Sequence, residues 1–256
     1  MNYESFADAA VYEFIYVTLV WILSLIFKDS GIMDIFWGPG FILTAIVYFV
    51  NSDGLPARKI LILVLVSIWG LRLAFHIASR NLGKPEDERY QKWREEAGSK
   101  WWWLSYFKVF LLQGVIMLIV SAPLWAAQQG ISSLGVFDYL GILIWIIGFS
   151  FETIGDWQLS RFKKNPANKG KVLRSGLWSR TRHPNYFGEA VLWWGFYLIA
   201  VGGGGWYTIF SPIIMTYLLV KVSGVAMLDE HMRKKKPEYV DYMKSTPAFL
   251  PRIVNK

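Results

Sequence analysis

Cysteine is absent from this 256-residue chain, which excludes disulfides and thiolate metal sites alike. Histidine is almost absent as well: His76, His183 and His231 are too few and too scattered for a histidine-based metal centre. Charge is scarce, at 18% of residues, below what a soluble domain of this size carries. A basic region ahead of the first apolar stretch is missing; Glu4 and Asp8 stand there instead, so a cleavable signal peptide is not expected. Internal repeats are lacking too, and with them the symmetry on which many secondary transporters are built.

What the chain has in quantity is apolar and aromatic surface, 54% and 17% of residues, with a mean hydropathy of +0.31. The apolar residues fall in blocks of roughly 17–25, the length of helix that crosses about 30 Å of hydrocarbon. They read as Val11–Phe27, Ile35–Val50, Ile60–Ala78, Phe107–Trp125, Val136–Phe151, Phe187–Val201 and Ile209–Met227. The expectation is an all-α, integral-membrane bundle of seven transmembrane helices forming a single domain over 1–256. The net charge of +8 does not point to nucleic acid, because its distribution is that of a membrane protein. Lys28, seven Lys/Arg from Arg80 to Lys108, eight from Arg161 to Arg182 and seven from Arg233 to Lys256 fall on one set of loops. The alternate loops hold Arg58 and Lys59 alone. The positive-inside rule then places the N-terminus outside and the C-terminus in the cytoplasm, in the inner membrane for a bacterial chain. The external connections Asn51–Lys59, Gln128–Gly135 and Gly202–Trp206 are short, the last a glycine turn. The cytoplasmic stretch Asn81–Lys100 mixes acids and bases and predicts a short surface helix, followed by Trp101, Trp102 and Trp103 as an interfacial anchor.

Charged groups within or beside spans are costly in hydrocarbon and need partners or a ligand. Asp34 opens the second span, Arg72 lies late in the third, and Glu152 and Asp156 close the fifth, four residues apart on one helical face. Asn185 and Glu189 share a face of the sixth in the same way. Pairing of these groups with one another inside the bundle stands as the plain alternative to a site. The densest string is GLWSRTRHPNYFGE, ending at Glu189. Pro184 suits the first turn of a helix, and an N-terminus flanked by Arg180, Arg182 and His183 favours phosphate. Asn185 and Glu189 would offer an amide and a carboxylate to a carboxamide or a ribose hydroxyl. Upstream, Arg161, Lys163, Lys164, Lys169 and Lys171 would surround further phosphate, or be solvated positive-inside charge.

RHPNYFGE, preceded by GLW and followed by Trp193 and Trp194, resembles the signature of the steroid 5α-reductase family and its bacterial relatives. The resemblance extends through Glu152-x-x-x-Asp156, Lys163 and the C-terminal pattern Tyr239-x-x-Tyr242…Phe249-Leu250-Pro251, and covers most of residues 30–256. It implies seven transmembrane helices, NADPH bound from the cytoplasmic side, and hydride transfer to an activated carbon–carbon double bond, usually that of a 3-oxo-Δ4 steroid. Asn185, Tyr186, Glu189 and Asp156 match cofactor-contacting positions. Lys163 falls where the family has an arginine near a phosphate, and Glu152 where an asparagine is usual. Arg72 matches a family arginine of the third span, and Asp34 a glutamate that hydrogen-bonds the substrate ketone. The family's substrate-binding tyrosine has no counterpart at the matching stretch, Trp69-Gly70.

RHP-x-Y-x-G also occurs in membrane methyltransferases that use S-adenosylmethionine, of the isoprenylcysteine and phospholipid type, which makes them the rival; a channel, scaffold or assembly factor is a third reading. S-adenosylmethionine carries a sulfonium and no phosphate, whereas NADPH carries three phosphate groups, and Arg72, Lys163, Arg180 and Arg182 suit the polyanion. The sequence therefore reads as an NADPH-dependent reductase of a lipophilic enone that enters from the bilayer, with no obligatory protein partner. Helices of about 1–130 would hold the substrate and about 131–256 the cofactor. Asp34 and Glu189 are the catalytic candidates. Asp34, kept protonated by burial, would donate to the enone oxygen as negative charge develops there.

Overall fold

In the computed structural model, which describes residues 3–222 and 224–252, every regular element is helical. The first helix, α1 (Tyr3–Phe27), begins eight residues before the apolar block and carries Glu4, Asp8 and Glu13 within it. Helices α2 (Ile32–Val50) and α3 (Pro56–Asn81) follow; Pro56 sits at the head of α3, where a missing N–H costs nothing. The surface helix expected between 81 and 100 is α4 (Glu88–Ala97), capped by the Asp87 side chain on the Arg89 N–H and ended by Gly98 at φ +55°. After a 3₁₀ turn the chain runs through α5 (Trp101–Ser105), a π turn (Tyr106–Leu111), α6 (Leu112–Val120) and α7 (Ala122–Gln129). Trp102 and Trp103 are exposed as an interfacial anchor requires, but Trp101 is buried and donates to Ser30 Oγ at 3.1 Å. Beyond these lie α8 (Val136–Lys164), α9 (Pro184–Gly202), α10 (Phe210–Tyr217), α11 (Val225–Lys235) and α12 (Tyr239–Ser245). The glycine turn after α9 closes through the Gly205 N–H on the Ala200 carbonyl at 2.7 Å, with Gly204 at φ +90°.

Six stretches among the described residues are long and apolar enough to cross a membrane: Tyr3–Phe27, Ile32–Val50, Pro56–Asn81, Glu88–Gln129, Val136–Lys164 and Trp206–Lys235. The protein is a multi-pass membrane protein. Its outward-facing side chains agree: Phe14, Leu19 and Ile26 on α1, Leu71 and Phe75 on α3 and Leu143 on α8 are exposed, a pattern a water-soluble surface does not carry. The count differs from the seven blocks of the sequence reading at Phe187–Val201. That block lies on α9, a helix of 19 residues whose first turns hold Asn185, Tyr186 and Glu189. With these polar groups and three glycines, α9 is not among the six.

By its contacts the chain divides into two compact units, Met1–Leu134 with Ala200–Thr208, and Gly135–Ile199 with Ile209–Lys256. Each is built on a close helix pair. In the first, a Cβ added to Gly38 of α2 would lie 2.3 Å from the Gly70 carbonyl oxygen of α3, so the backbones touch. In the second, α8 carries glycine at 141, 148 and 155, and α9 at 188 and 195, seven residues apart along each helix. A Cβ on Gly148 would meet the Leu192 nitrogen at 2.4 Å, and one on Gly188 the Glu152 nitrogen at 2.3 Å. A seven-residue period keeps one side of a helix in register with its partner, and small residues there replace side-chain packing with backbone contact.

Candidate functional site

The glycine stripes set what faces what in the second unit. Because Gly148 and Gly155 of α8 lie against α9, Glu152 and Asp156 sit on the turns level with its first residues. Asn185 donates from Nδ2 to Asp156 Oδ1 at 3.0 Å, and a Cβ on Gly155 would be 3.2 Å from the Asn185 nitrogen. That bond fixes which way the amide points. Its oxygen, Oδ1, is buried and has no hydrogen-bond partner among the described residues. Glu152, Asp156 and Glu189 are 2%, 5% and 8% exposed. Three acids so deeply buried in one helix pair are a chemical feature, since each demands donors. The structure thus gathers Glu152, Asp156, Asn185 and Glu189 along one seam.

The turn leading into α9 is held from two sides. Trp178 donates from Nε1 to the Gly155 carbonyl at 3.0 Å, and Gln158 Oε1 accepts the Leu177 N–H at 3.0 Å. On the other side the C-terminal segment lies along the turn: the Arg182 N–H donates to the Pro247 carbonyl at 2.9 Å, and Thr181 Oγ1 to Phe249 at 2.9 Å. Arg182, expected at a phosphate, spends its guanidinium on protein. Nη2 and Nε bind Asp229 at 2.6 and 3.3 Å, and Nη1 binds the Thr246 and Met243 carbonyls at 2.6 and 3.1 Å. Burial works against its charge, but Asp229 outweighs it and the pKa is raised. His183 Nε2 lies 2.8 Å from Asp229 Oδ1 and Tyr239 donates to the same oxygen at 2.5 Å. The Tyr186 ring stacks on His183, centroids 5.6 Å apart and planes 17° from parallel. Asp229 escaped the sequence reading because nothing near it in the chain announces an acceptor; its partners are some ten and forty-six residues away.

Three of the five basic residues upstream line a cavity of about 170 Å³, and Arg161 and Lys164 do not. Lys163, Lys169 and Lys171 line it, and Lys236 joins them from beyond α11, donating to the Lys171 carbonyl at 2.6 Å. Trp178 and Tyr239 supply aromatic wall.

Asp34 and Arg72 belong to the first unit. Arg72 is half-buried on α3. Asp34, in the first turn of α2, accepts from Tyr90 Oη at 2.8 Å and from Arg89 Nη2 at 3.1 Å, and Gln113 Nε2 reaches Tyr90 Oη at 3.4 Å. Both oxygens of Asp34 thus face donors, one of them a guanidinium. Tyr90 is a tyrosine the sequence reading did not place. Its signal was an aromatic residue, 4% exposed in the structure, in the first turn of an otherwise charged helix.

A family model described as a protein of unknown function, DUF1295, matches residues 20–246. The chain belongs to the DUF1295 family. An uncharacterized protein of Schizosaccharomyces pombe is 24% identical over 98% of this chain and 81% of its own length. A probable O-methyltransferase of Ustilaginoidea virens is 34% identical over 37% of this chain and 32% of its own. The 3-oxo-5-alpha-steroid 4-dehydrogenase 1 of Rattus norvegicus is 26% identical over 44% of this chain and 41% of its own. This DUF1295 chain therefore spans less than half the length of either named enzyme that it matches. No solved structure matches it.

Proposed function

We propose that this protein is an NADPH-dependent reductase of the carbon–carbon double bond of a lipophilic enone, a 3-oxo-Δ4 steroid being the type substrate. The observation that carries the reading is the cavity lined by Lys163, Lys169, Lys171 and Lys236. Four lysines beside an aromatic wall, one of them already donating to the Lys171 carbonyl, suit a nucleotide with several phosphates. The fit continues at the seam: Asn185 Oδ1 is an unfilled acceptor, and carboxylates at 152, 156 and 189 accept from amide N–H or ribose O–H. The partial similarity to a steroid dehydrogenase supports the same class of reaction. When bound, NADPH supplies a hydride. In this reading Lys163 and its neighbours hold phosphate, and Glu189 and Asn185 orient the carboxamide. The first unit receives the substrate. Breaking its bond to Asp34 would free the Tyr90 hydroxyl to donate to the substrate oxygen as charge develops there. The reading also takes α9 as a seventh span, with the N-terminus outside and the basic loops in the cytoplasm, on the strength of the Lys/Arg distribution.

A second reading, transfer of a methyl group from S-adenosylmethionine, is favoured by the 34% identity to a probable O-methyltransferase. Thermal midpoints with NADPH, NADH and S-adenosylmethionine separate the two, since a ligand of the native state stabilises by about 2.7 kcal/mol at a hundred times its Kd. NADPH is expected to raise the midpoint most. Turnover of a 3-oxo-Δ4 steroid by Glu189→Gln, normalised to the folded fraction, is expected to fall about ten-fold or more. A midpoint raised by S-adenosylmethionine and unmoved by NADPH would sink the reductase reading.

A further inference from the structure

Asp229 accepts more hydrogen bonds than any plain ion pair needs, and their arrangement determines the state of a histidine. Its Oδ2 takes the Arg182 Nη2–H at 2.6 Å; its Oδ1 takes the Tyr239 hydroxyl at 2.5 Å and the Arg182 Nε–H at 3.3 Å. An arginine has no lone pair to offer, so the carboxyl facing it is an acceptor on both oxygens. His183 Nε2 stands 2.8 Å from that same Oδ1. A bare Nε2 there would set lone pair against lone pair, so Nε2 carries the proton. Within this cluster the one carboxylate already balances one guanidinium, and the imidazole is taken as neutral. The remaining ring nitrogen, Nδ1, then bears a lone pair. It is buried in a side chain 1% exposed and has no hydrogen-bond partner among the described residues. The stacked Tyr186 ring holds the plane in which that lone pair points. Two residues on, Asn185 Oδ1 is a second buried acceptor without a partner, its orientation fixed by Asp156. Buried acceptors left unfilled in two orientationally locked side chains at the head of one helix mark a place where a ligand's hydrogens belong.

We infer that Asp229 is a positioning residue that locks His183 as the Nε2–H tautomer, so that Nδ1 accepts an O–H or N–H from the bound nucleotide. His183 is thus a hydrogen-bond acceptor for a hydroxyl, amide or amino group and not a cation for phosphate. The inference takes its ligand from the reading above, while the tautomer stands apart from it.

The test uses the intact protein labelled with ¹⁵N-histidine. Its three histidines give three ring systems, and that of His183 is the one lost in His183→Gln. The free protein is expected to show the Nε2–H tautomer at His183, and saturating NADPH to shift Nδ1. Two isosteres then separate ligand binding from structure. His183→Asn keeps an acceptor at the δ position and loses the link to Asp229; His183→Gln keeps the link and loses the acceptor. NADPH affinity is expected to fall about ten-fold in His183→Gln and by less in His183→Asn, whereas thermal stability follows the opposite order. A structural role alone would put both measurements in the same order. If NADPH leaves Nδ1 unmoved and S-adenosylmethionine shifts it, the reductase reading falls and the acceptor role stands. An Nδ1–H tautomer, or an Nδ1 signal that neither nucleotide moves, overturns the inference.

Discussion

Replacing Gly188 by alanine tests whether the α8–α9 seam is the cofactor site. The added methyl would lie 2.3 Å from the Glu152 nitrogen and 2.5 Å from the Gly148 carbonyl oxygen. Both are backbone atoms and cannot rotate away. Restoring an ordinary contact of about 3.5 Å requires the two helices to part by about 1 Å. Two effects on stability oppose one another: alanine is a better helix former by about 1 kcal/mol, and overpacking costs about 1–3 kcal/mol. The variant should therefore fold, with a modest net loss. Function should respond far more. A 1 Å shift takes the 3.0 Å Asn185–Asp156 hydrogen bond beyond bonding distance, which removes about 1.5–3 kcal/mol for a bond to a charged group and releases the amide that it orients. Misplacement on that scale costs about 100-fold in rate. Gly135→Ala is the control, because nothing lies within 4 Å of its Cβ position. The assay is NADPH titration together with steroid turnover, each normalised to the folded fraction. Wild-type affinity and turnover in a folded Gly188→Ala protein would show that the seam's spacing is not part of the site.

NADPH should bind more tightly than NADH, and Lys163→Ala should erase about 1.5–3 kcal/mol of that preference; equal affinities in the parent protein would remove the idea. Arg182→Met leaves Asp229 buried without its main partner, a loss of about 3–5 kcal/mol. It should free residues 239–252 for limited proteolysis, and a protease-resistant variant would refute the tether. Burial alone would raise the Glu86 pKa, but hydrogen bonds from Arg94 and the Ser30 N–H hold it below its usual 4.5. A depressed carboxyl stabilises above its unfolded value and stops doing so as pH falls through its folded one. The protection factor of the Ser30 amide should therefore hold above pH 4.5 and fall below it, and a pH-independent protection factor would contradict the assignment. Single cysteines at Asp53 and Ser175, both exposed, test the orientation in a chain with no other thiol. An impermeant maleimide on intact cells should label Asp53→Cys, and labelling of Ser175→Cys instead would invert the topology.

Composition and block length by themselves determined that this is a helical, multi-pass membrane protein, because the hydrocarbon core demands apolar helices of a given length wherever they pack. Local chemistry was legible too: the turn into α9 from Pro184, the surface helix after Asn81, and Glu152 with Asp156 on one face all follow from spacings of four residues or fewer. Even the cavity-lining lysines 163, 169 and 171 stand close together in the chain. Tertiary structure alone decided what distant residues share. Lys236 joins that cavity from beyond α11, and Tyr90 meets Asp34 across fifty-six residues. Arg182 and His183 look like anion-binding residues when read along the chain. In the fold both turn to Asp229, forty-six or more positions away. A basic side chain answers to whichever carboxylate the fold brings to it, and no local pattern encodes that meeting. The glycines at 141, 148, 155, 188 and 195 are visible in the sequence as single residues. That they are one surface, on which the acids and the amide are brought level, is a property of two helices in contact.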